Sequence, residues 1–212
     1  MASVRVVFVE AAVGGLEFVG RPEVAQAWGE PSALDGMTVG ALAAHLARQV
    51  TRVPEVLAFP VPDERPVTLV EHYLRSAWAN AGPDDEANVG IRMRAVTDAL
   101  PGPAEVLARA LEALAAARVA LPDEPADRWV RPPWLGWNLS LDDYLRGRML
   151  EIVVHSDDLA VSLGLEPPEW PEGVVAPVLG VLTTVAVRKH GVAAVLRTLA
   201  RAERAPASIA AI

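Results

Sequence analysis

A polar stripe inside an otherwise apolar helical segment constrains the fold of this chain more than any other feature. The segment begins after Ser140, a favourable N-cap, and ends at Gly164, a favourable residue beyond a helix C-terminus. Apolar residues border the stripe on both sides, so we expect it to face a polar cavity between helices rather than solvent, which is the common alternative for an amphipathic helix. The stripe has the 4-3-4-3-4 spacing of one helix face and consists of Tyr144, Arg148, Glu151, His155, Asp158 and Ser162.

Two residues of this stripe form a candidate metal-binding pair. Glu151 and His155 are separated by about one helical turn, which places their Cβ atoms about 5–6 Å apart. A carboxylate oxygen and an imidazole nitrogen at that distance can bind the same divalent ion. Such pairs also occur by chance, so the pair alone does not establish a metal site.

The other histidines are His45, His72 and His190. His45 lies at the edge of the apolar face of a second helix, where it is either a third ligand or a core histidine that satisfies one hydrogen bond. His72 stands beside Glu71 in a more polar stretch, and we predict that it lies on the surface. His190 precedes a glycine near a helix C-terminus, where an imidazole commonly binds main-chain carbonyls.

Composition favours a largely helical protein and limits its partners. A chain of 212 residues with 52% apolar residues suits one domain, residues 1–212, with a substantial core. The net charge of −8 argues against nucleic acid as a partner, and no apolar run is long enough to cross a membrane. The absence of cysteine excludes disulfides and thiolate metal sites, so a metal would need nitrogen and oxygen ligands. Because the N-terminus shows no signal-peptide pattern, we expect a cytoplasmic protein.

Periodicity and the positions of Gly and Pro predict further helices. Residues 121–139 are predicted to form a long Pro-rich loop before the Glu151 helix. Its tryptophans, Trp129, Trp134 and Trp137, either form the wall of a substrate pocket or cover the end of a helical bundle. The first predicted helix ends at about Trp28, and the second carries His45 and ends at about Phe59. Further helices are predicted over Val67–Ala79, over Ala87–Leu100, from Pro103 onward and over residues 172–201.

Two segments resemble the signature of the mycothiol-dependent maleylpyruvate isomerase family, which belongs to the DinB-like group of metal-binding bundles. Residues 35–46 resemble the turn and helix that carry the first histidine of that family, and residues 148–160 resemble its Glu-x-x-x-His-x-x-Asp-Leu helix. The similarity extends from about residue 30 to the C-terminal segment. Met37 and Asp157 depart from it, since an aromatic residue and a tryptophan are common there.

The resemblance implies a fold and a set of ligands. The fold is an all-α, DinB-like four-helix bundle with additional short helices. Its metal site would lie between helices, with His45, Glu151 and His155 as the ligands of Zn²⁺ or another divalent metal. Near the ligands, Asp158 would either accept a hydrogen bond from one of them or fix the helix end. Arg148 would either orient Glu151 or form a surface ion pair.

The expected chemistry follows from three protein ligands, which leave an open position on zinc, as in catalytic sites. Such an ion can acidify water or a thiol, and a chain without cysteine would need its sulfur from a cofactor. The resemblance implies an enzyme that uses mycothiol and an electrophilic substrate, as an S-transferase or an isomerase. Two alternatives stay open, namely a zinc hydrolase that activates water and a metal- or thiol-binding protein without turnover.

The resemblance also raises a question of domain organisation. Full-length isomerases of the family carry a small C-terminal α/β domain, which we expect this chain to lack, because residues 172–201 have a helical pattern and only a short tail follows. For this reason, the resemblance supports the family's metal site in this chain but does not by itself assign the isomerase reaction to it. The sequence is compatible with a homodimer.

Overall fold

The computed structural model describes residues 3–212, and these residues form an all-α fold. The short elements are two 3-10 turns, Leu121–Asp123 and Ala202–Arg204, and an antiparallel pair of strands, β1 (Trp129–Val130) and β2 (Leu139–Ser140). The α-helices of this part of the chain are α1 (Val4–Val19), α2 (Pro22–Gln26), α3 (Val39–Leu57), α4 (Leu69–Arg75), α5 (Glu86–Ala99), α6 (Pro103–Ala120), α7 (Leu141–Leu163), α8 (Glu172–His190) and α9 (Val192–Ala200).

Four long helices form the central bundle. Helices α1, α3, α6 and α7 pack against one another, with α1 and α3 both in contact with α7. The shorter helix α5 packs on α3, while α4 and α8 pack beside α7. Apolar residues from all four central helices fill the space between them, including Phe8, Leu46, Leu114 and Ile152. The predicted bundle with additional short helices is therefore confirmed.

Local sequence signals explain where the two helices of the predicted site begin and end. The side chain of Thr38 accepts a hydrogen bond from the main-chain N–H of Ala41 and caps α3. Ser140 caps α7 in the same way through Asp143. Helix α7 ends at Gly164, whose φ of 64° is readily adopted only by a residue without a Cβ.

Several predicted boundaries are wrong. The first helix ends at Val19, and a separate short helix, α2, follows it. Helix α4 begins at Leu69, after a capping box formed by Thr68 and Glu71, and it ends at Arg75 rather than at Ala79. The segment 121–139 is not a plain loop, since it contains a 3-10 turn and two short paired strands. The predicted C-terminal helix is divided at Gly191, whose φ is 83°.

A helix that crosses a bilayer must be both long and apolar, and none of the helices within residues 3–212 meets this requirement.

Candidate metal centre

Helices α3 and α7 bring the three predicted ligands together. His45 comes from α3, and Glu151 and His155 come from adjacent turns of α7. One donor atom from each residue lies within 4.8 Å of the others, and Nε2 of His155 is 3.3 Å from Oε2 of Glu151. The two imidazole rings meet edge to face with centroids 4.7 Å apart. Glu151 is only 7% exposed, so the cluster lies between the helices rather than on their surface.

Asp158 determines which nitrogen of His155 faces the cluster. Its Oδ2 lies 2.9 Å from Nδ1 of His155, and because a carboxylate can only accept, Nδ1 must donate the hydrogen. The other nitrogen, Nε2, then points to Glu151. In sites where histidine binds a metal, such a carboxylate commonly fixes the orientation and tautomer of the ring.

Tyr73 contacts the cluster and was not predicted from the sequence. This residue of α4 is fully buried, and its hydroxyl donates a hydrogen bond to Oε1 of Glu151 at 3.4 Å. The contact leaves Oε2 of Glu151 directed to His155. No spacing pattern in the sequence relates Tyr73 to Glu151, because the contact joins residues 78 positions apart.

Arg148 acts on the cluster through Gln49, another residue that the sequence analysis missed. Nη1 of Arg148 donates to Oε1 of Gln49 at 2.6 Å. The amide group of Gln49 donates to the main-chain carbonyl of His45 at 2.9 Å and lies 3.3 Å from its Nε2. Since Arg148 has no acceptor, the oxygen of Gln49 must face it and the NH₂ group must face His45. Arg148 is only 9% exposed, so the alternative of a surface ion pair is wrong.

The charges in the cluster are distributed unequally. Burial alone would raise the pKa of Glu151, but the hydrogen bond with His155 and the positive charges around it lower the pKa to about 2. Burial opposes the protonation of His155, yet hydrogen bonds to Asp158 and Glu151 raise its pKa to about 9. Burial, together with the charge of His155, lowers the pKa of His45 to about 3. In the absence of metal, a protonated His155 thus lies between two carboxylates and beside a neutral His45.

The remaining histidines lie elsewhere. The predicted surface position of His72 is wrong, because this residue is 4% exposed and accepts a hydrogen bond from Nε1 of Trp137 at 3.1 Å. Burial, and then the charge of Arg148, lower its pKa to about 4. His190 ends α8, but its Nε2 contacts the carbonyl of Ala210 at 2.8 Å rather than a carbonyl of its own helix.

The three tryptophans of segment 121–139 occupy different environments. Trp137 contacts His72, and Trp129 pairs with Ser140 at the start of α7. The ring of Trp134 lies 3.9 Å from the guanidinium carbon of Arg52. The segment therefore packs against the first turns of α7 and against α3 and α4, on the same side as the polar stripe.

Comparison with known proteins identifies the family. The model of the mycothiol maleylpyruvate isomerase N-terminal domain matches residues 9–160, well over half of the chain. The chain belongs to this family. Searches of curated proteins and of solved structures found no significant match.

The family match agrees with the observed bundle, and the matched residues include all three members of the cluster. The helices have the DinB-like arrangement expected of a mycothiol maleylpyruvate isomerase N-terminal domain, and His45, Glu151 and His155 lie within the matched residues. The match begins earlier than the predicted start near residue 30 and ends at residue 160. The C-terminal segment, which is also predicted to resemble the family, lies outside the matched residues, so that resemblance stays a prediction.

The donor set of this family member is suited to a divalent ion. Ligand atoms about 2.0–2.2 Å from a tetrahedral Zn²⁺ lie about 3.3–3.6 Å from each other. The distance of 3.3 Å between His155 and Glu151 already meets that requirement, and modest side-chain movement would bring His45 into range. A divalent ion between these atoms would replace the proton that His155 carries in the metal-free site.

Proposed function

We propose that this chain is a metal-dependent enzyme that uses mycothiol as a thiol cofactor and an electrophile as its second substrate, in an S-transfer or isomerisation reaction. The observation that carries the proposal is the buried cluster of His45, Glu151 and His155 in a member of the mycothiol maleylpyruvate isomerase family. Zinc is the first candidate for the metal, because two imidazoles and one carboxylate are a common donor set of catalytic zinc.

Each residue of the cluster has a role in this proposal. His45, Glu151 and His155 would hold the ion, with Asp158 fixing the tautomer of His155 and Tyr73 fixing one oxygen of Glu151. A bound divalent ion would supply Lewis acidity that lowers the pKa of a thiol or a water molecule beside it. Arg148 and Gln49 would keep His45 in place through their hydrogen bonds.

The absence of cysteine favours an external thiol. Sulfur chemistry in this chain needs a nucleophile that the protein itself does not provide. Three protein ligands leave at least one coordination position for a small molecule. Trp134 and Trp137 lie on the side of the bundle where the polar stripe of α7 begins, and they are candidate contacts for the sugar part of mycothiol.

The proposal is tested with cobalt in place of zinc. Addition of mycothiol to the Co²⁺-substituted protein should produce sulfur-to-metal charge-transfer absorption, because a thiolate bonded to Co²⁺ absorbs in the near ultraviolet. The His155→Ala protein should not give this signal, whereas His190→Ala should behave like the wild type. Mycothiol should bind more tightly than cysteine if its sugar part contacts the protein.

Two other results would each select a different function. Hydrolysis of ester or amide substrates without any thiol would favour a zinc hydrolase. Metal binding with neither a mycothiol signal nor turnover of a panel of electrophiles would favour a metal-binding protein without catalysis. Either result would overturn the thiol-dependent proposal.

A further inference from the structure

A cavity of about 570 Å³ lies at the end of the bundle where α1 and α7 begin and α6 ends. Small-molecule sites typically have volumes of about 300–1,000 Å³. None of the three residues of the metal cluster lines this cavity. Asp142 of α7 does, and Glu151 follows it nine residues later, which corresponds to about 13 Å of helix. The cavity is therefore separate from the candidate metal centre.

Arg5 joins the walls of this cavity. Its guanidinium donates hydrogen bonds to the main-chain carbonyls of Leu121 at 3.0 Å, of Pro125 at 2.6 Å and of Glu124. Its Nε also lies 3.7 Å from Oδ1 of Asp142 at the start of α7. These contacts hold the segment after α6 against α1 and α7. The charges of Arg5 and Asp142 balance each other, so neither is available to a ligand as a free charge.

The exposed surface of the cavity is mainly apolar. Val6 and Val9 come from α1, Leu121 and Pro122 from the 3-10 turn that follows α6, and Ala126 from the segment after it. Val6 is 51% exposed although its side chain is a branched hydrocarbon. A ligand with an apolar body would remove this surface from water, whereas a free ion or a sugar would gain little from it.

Two charged side chains of opposite sign lie on different walls of the cavity. Glu10 belongs to α1, and Arg118 belongs to the last turn of α6. Both are exposed, and within residues 3–212 neither forms an ion pair or a side-chain hydrogen bond, in contrast to Arg5 and Asp142. The charged groups of Glu10 and Arg118 also lie beyond ion-pair distance from each other. A ligand with one positive and one negative group can therefore pair with both.

The apolar surface and the two charges together select a class of ligand. A simple anion would be attracted by Arg118 and repelled by Glu10, and a simple cation would meet the reverse. An uncharged apolar molecule would fill the cavity but would shield both charged groups from water without pairing them. A zwitterion with an apolar body uses the apolar surface and both charges.

We infer that this cavity binds a small amphipathic zwitterion, namely an α-amino acid with a large apolar side chain. Its carboxylate pairs with Arg118, its ammonium group pairs with Glu10, and its side chain packs against Val6 and Leu121. Arginine is suited to the first contact because its planar fork matches a carboxylate. The inference does not rest on the proposed function, since the cavity requires neither a metal ion nor a thiol.

The test compares three compounds with the same phenylethyl group. L-phenylalanine carries both charges, 3-phenylpropionate carries only the negative one, and phenethylamine carries only the positive one. Binding to the full chain is followed through the methyl signals of Val6 and Val9 in NMR spectra at neutral pH and constant ionic strength. L-phenylalanine should shift these signals to saturation, and each of the other two compounds should bind at least fivefold more weakly. Equal affinity of L-phenylalanine and either analogue would overturn the zwitterion assignment, and no shift with any of them would remove the site.

The same titration after metal removal separates this cavity from the metal centre. The dissociation constant of L-phenylalanine should be unchanged in the metal-free chain. Binding that is lost with the metal would place the carboxylate on the ion and would refute the inference.

Variants at the two charges test their separate roles. Arg118→Gln should weaken the binding of L-phenylalanine at least fivefold and should not weaken that of phenethylamine. Glu10→Gln should weaken the binding of L-phenylalanine and strengthen that of 3-phenylpropionate, because the repelling charge is gone. Arg109→Gln is the matched control, since Arg109 is exposed on α6, pairs with Glu105 and does not line the cavity. If neither charge variant differed from this control, the inference would fail.

A variant that fills the cavity tests its location. Val6→Trp should abolish the binding of L-phenylalanine, because the indole would occupy the apolar surface. Val119→Trp is the control, since Val119 is 75% exposed on α6 and does not line the cavity. Both substitutions are at exposed positions, and circular dichroism checks that the helices are retained. Unchanged affinity in a folded Val6→Trp protein would show that the amino acid binds elsewhere.

Discussion

The neighbours of each histidine determine what its imidazole can do. Two carboxylates flank His155 and favour positive charge at its position. His45 is held neutral by burial and receives the amide hydrogens of Gln49. His72 accepts a hydrogen bond from Trp137 and is not part of the three-residue cluster. Two chemically different histidines therefore share one site, and a divalent ion would be bound by both in their neutral forms.

Removing any one ligand should abolish tight zinc binding. His45→Ala, Glu151→Ala and His155→Ala should each lower zinc affinity at least tenfold, because three protein ligands leave no redundancy. Metal content after dialysis, measured by elemental analysis, checks the result. His190→Ala is the appropriate control, since His190 contacts a main-chain carbonyl near the C-terminus. Full zinc occupancy in any of the three variants would contradict the assignment of that residue.

Residue-scale prediction from sequence was most informative where the signal was local. Glu151, His155 and Asp158 lie on one face of one helix, so their spacing predicted that the three side chains are neighbours, and the structure brings them into contact. Tyr73 and Gln49 were missed because their contacts depend on how α4 and α3 pack against α7. Gln49 did carry a weak signal, since it lies one turn after His45. His72 was placed on the surface because nothing local indicates that Trp137 covers it.

Protonation of His72 should make the folded state less stable in mild acid. Its pKa is about 4 in the folded protein and about 6.5 in the unfolded chain, so the unfolded state binds the proton first as the pH falls. The free energy of unfolding should therefore decrease by up to about 1.4 kcal/mol per pH unit between pH 6.5 and 4, and this contribution is absent above pH 6.5. Denaturant titrations at several pH values measure it.

The variant His72→Gln isolates this contribution, because glutamine can still accept a hydrogen bond from Trp137. Other acid-sensitive groups are common to both proteins and cancel in the difference between them. The variant should lose less stability than the wild type between pH 6.5 and 4. Equal pH dependence in the two proteins would mean that His72 protonates at its ordinary pKa in the folded state.

Close approach of α1 to its neighbours depends on glycine. A Cβ at Gly15 would lie 2.7 Å from Cγ2 of Ile152 on α7 and 3.3 Å from Cδ2 of Leu46 on α3. Both neighbours are fully buried, so neither can move without disturbing the core. This contact holds α1 against the two helices that carry the candidate metal centre.

Substitution of this glycine tests the packing. Gly15→Ala should lower the free energy of unfolding by about 1–3 kcal/mol through overpacking, as measured by denaturant titration. Gly90→Ala is the matched control, since Gly90 lies in the interior of α5 with no atom near its Cβ position. Because alanine favours helix more than glycine, Gly90→Ala should be neutral or stabilise the protein by up to about 1 kcal/mol. Equal effects of the two substitutions would argue against the close contact.

Helices and strands, like single residues, were predicted correctly where the sequence signal is local and missed where it depends on tertiary contacts. Helices α3 and α7 were predicted with nearly correct boundaries because Thr38, Ser140 and Gly164 are strong capping signals. The strands β1 and β2 were not predicted, because a pair of two-residue strands is formed by tertiary contact and has no period of its own. The sequence predicted a helix end beside His190 but also a continuous helical stretch over residues 172–201, because the residues on both sides of Gly191 have helical patterns; the structure has the helix end at His190.

At the scale of the whole molecule, the candidate metal centre lies between elements that are already connected without a metal ion. Apolar side chains of α1, α3, α6 and α7 form a continuous core. Helices α3 and α7 are further linked by the hydrogen bonds of Arg148 with Gln49 and of Tyr144 with the carbonyl of Arg52. The family match covers this bundle from residue 9 to residue 160. A metal ion would therefore add stability to a folded protein rather than create the fold.

Chelation should consequently leave the protein folded. Far-ultraviolet circular dichroism at neutral pH should show unchanged helix content after treatment with excess chelator. A metal present at about 100 times its dissociation constant contributes about 2.7 kcal/mol, which for a chain of 212 residues corresponds to a thermal midpoint about 5–10 °C lower after its removal. The thermal midpoint of the Glu151→Ala protein, which lacks one of the proposed ligands, should not fall further when chelator is added. Complete loss of helical signal in the wild type would mean that the metal is structural, and the catalytic proposal would lose its main support because a site required for folding normally has no open coordination position.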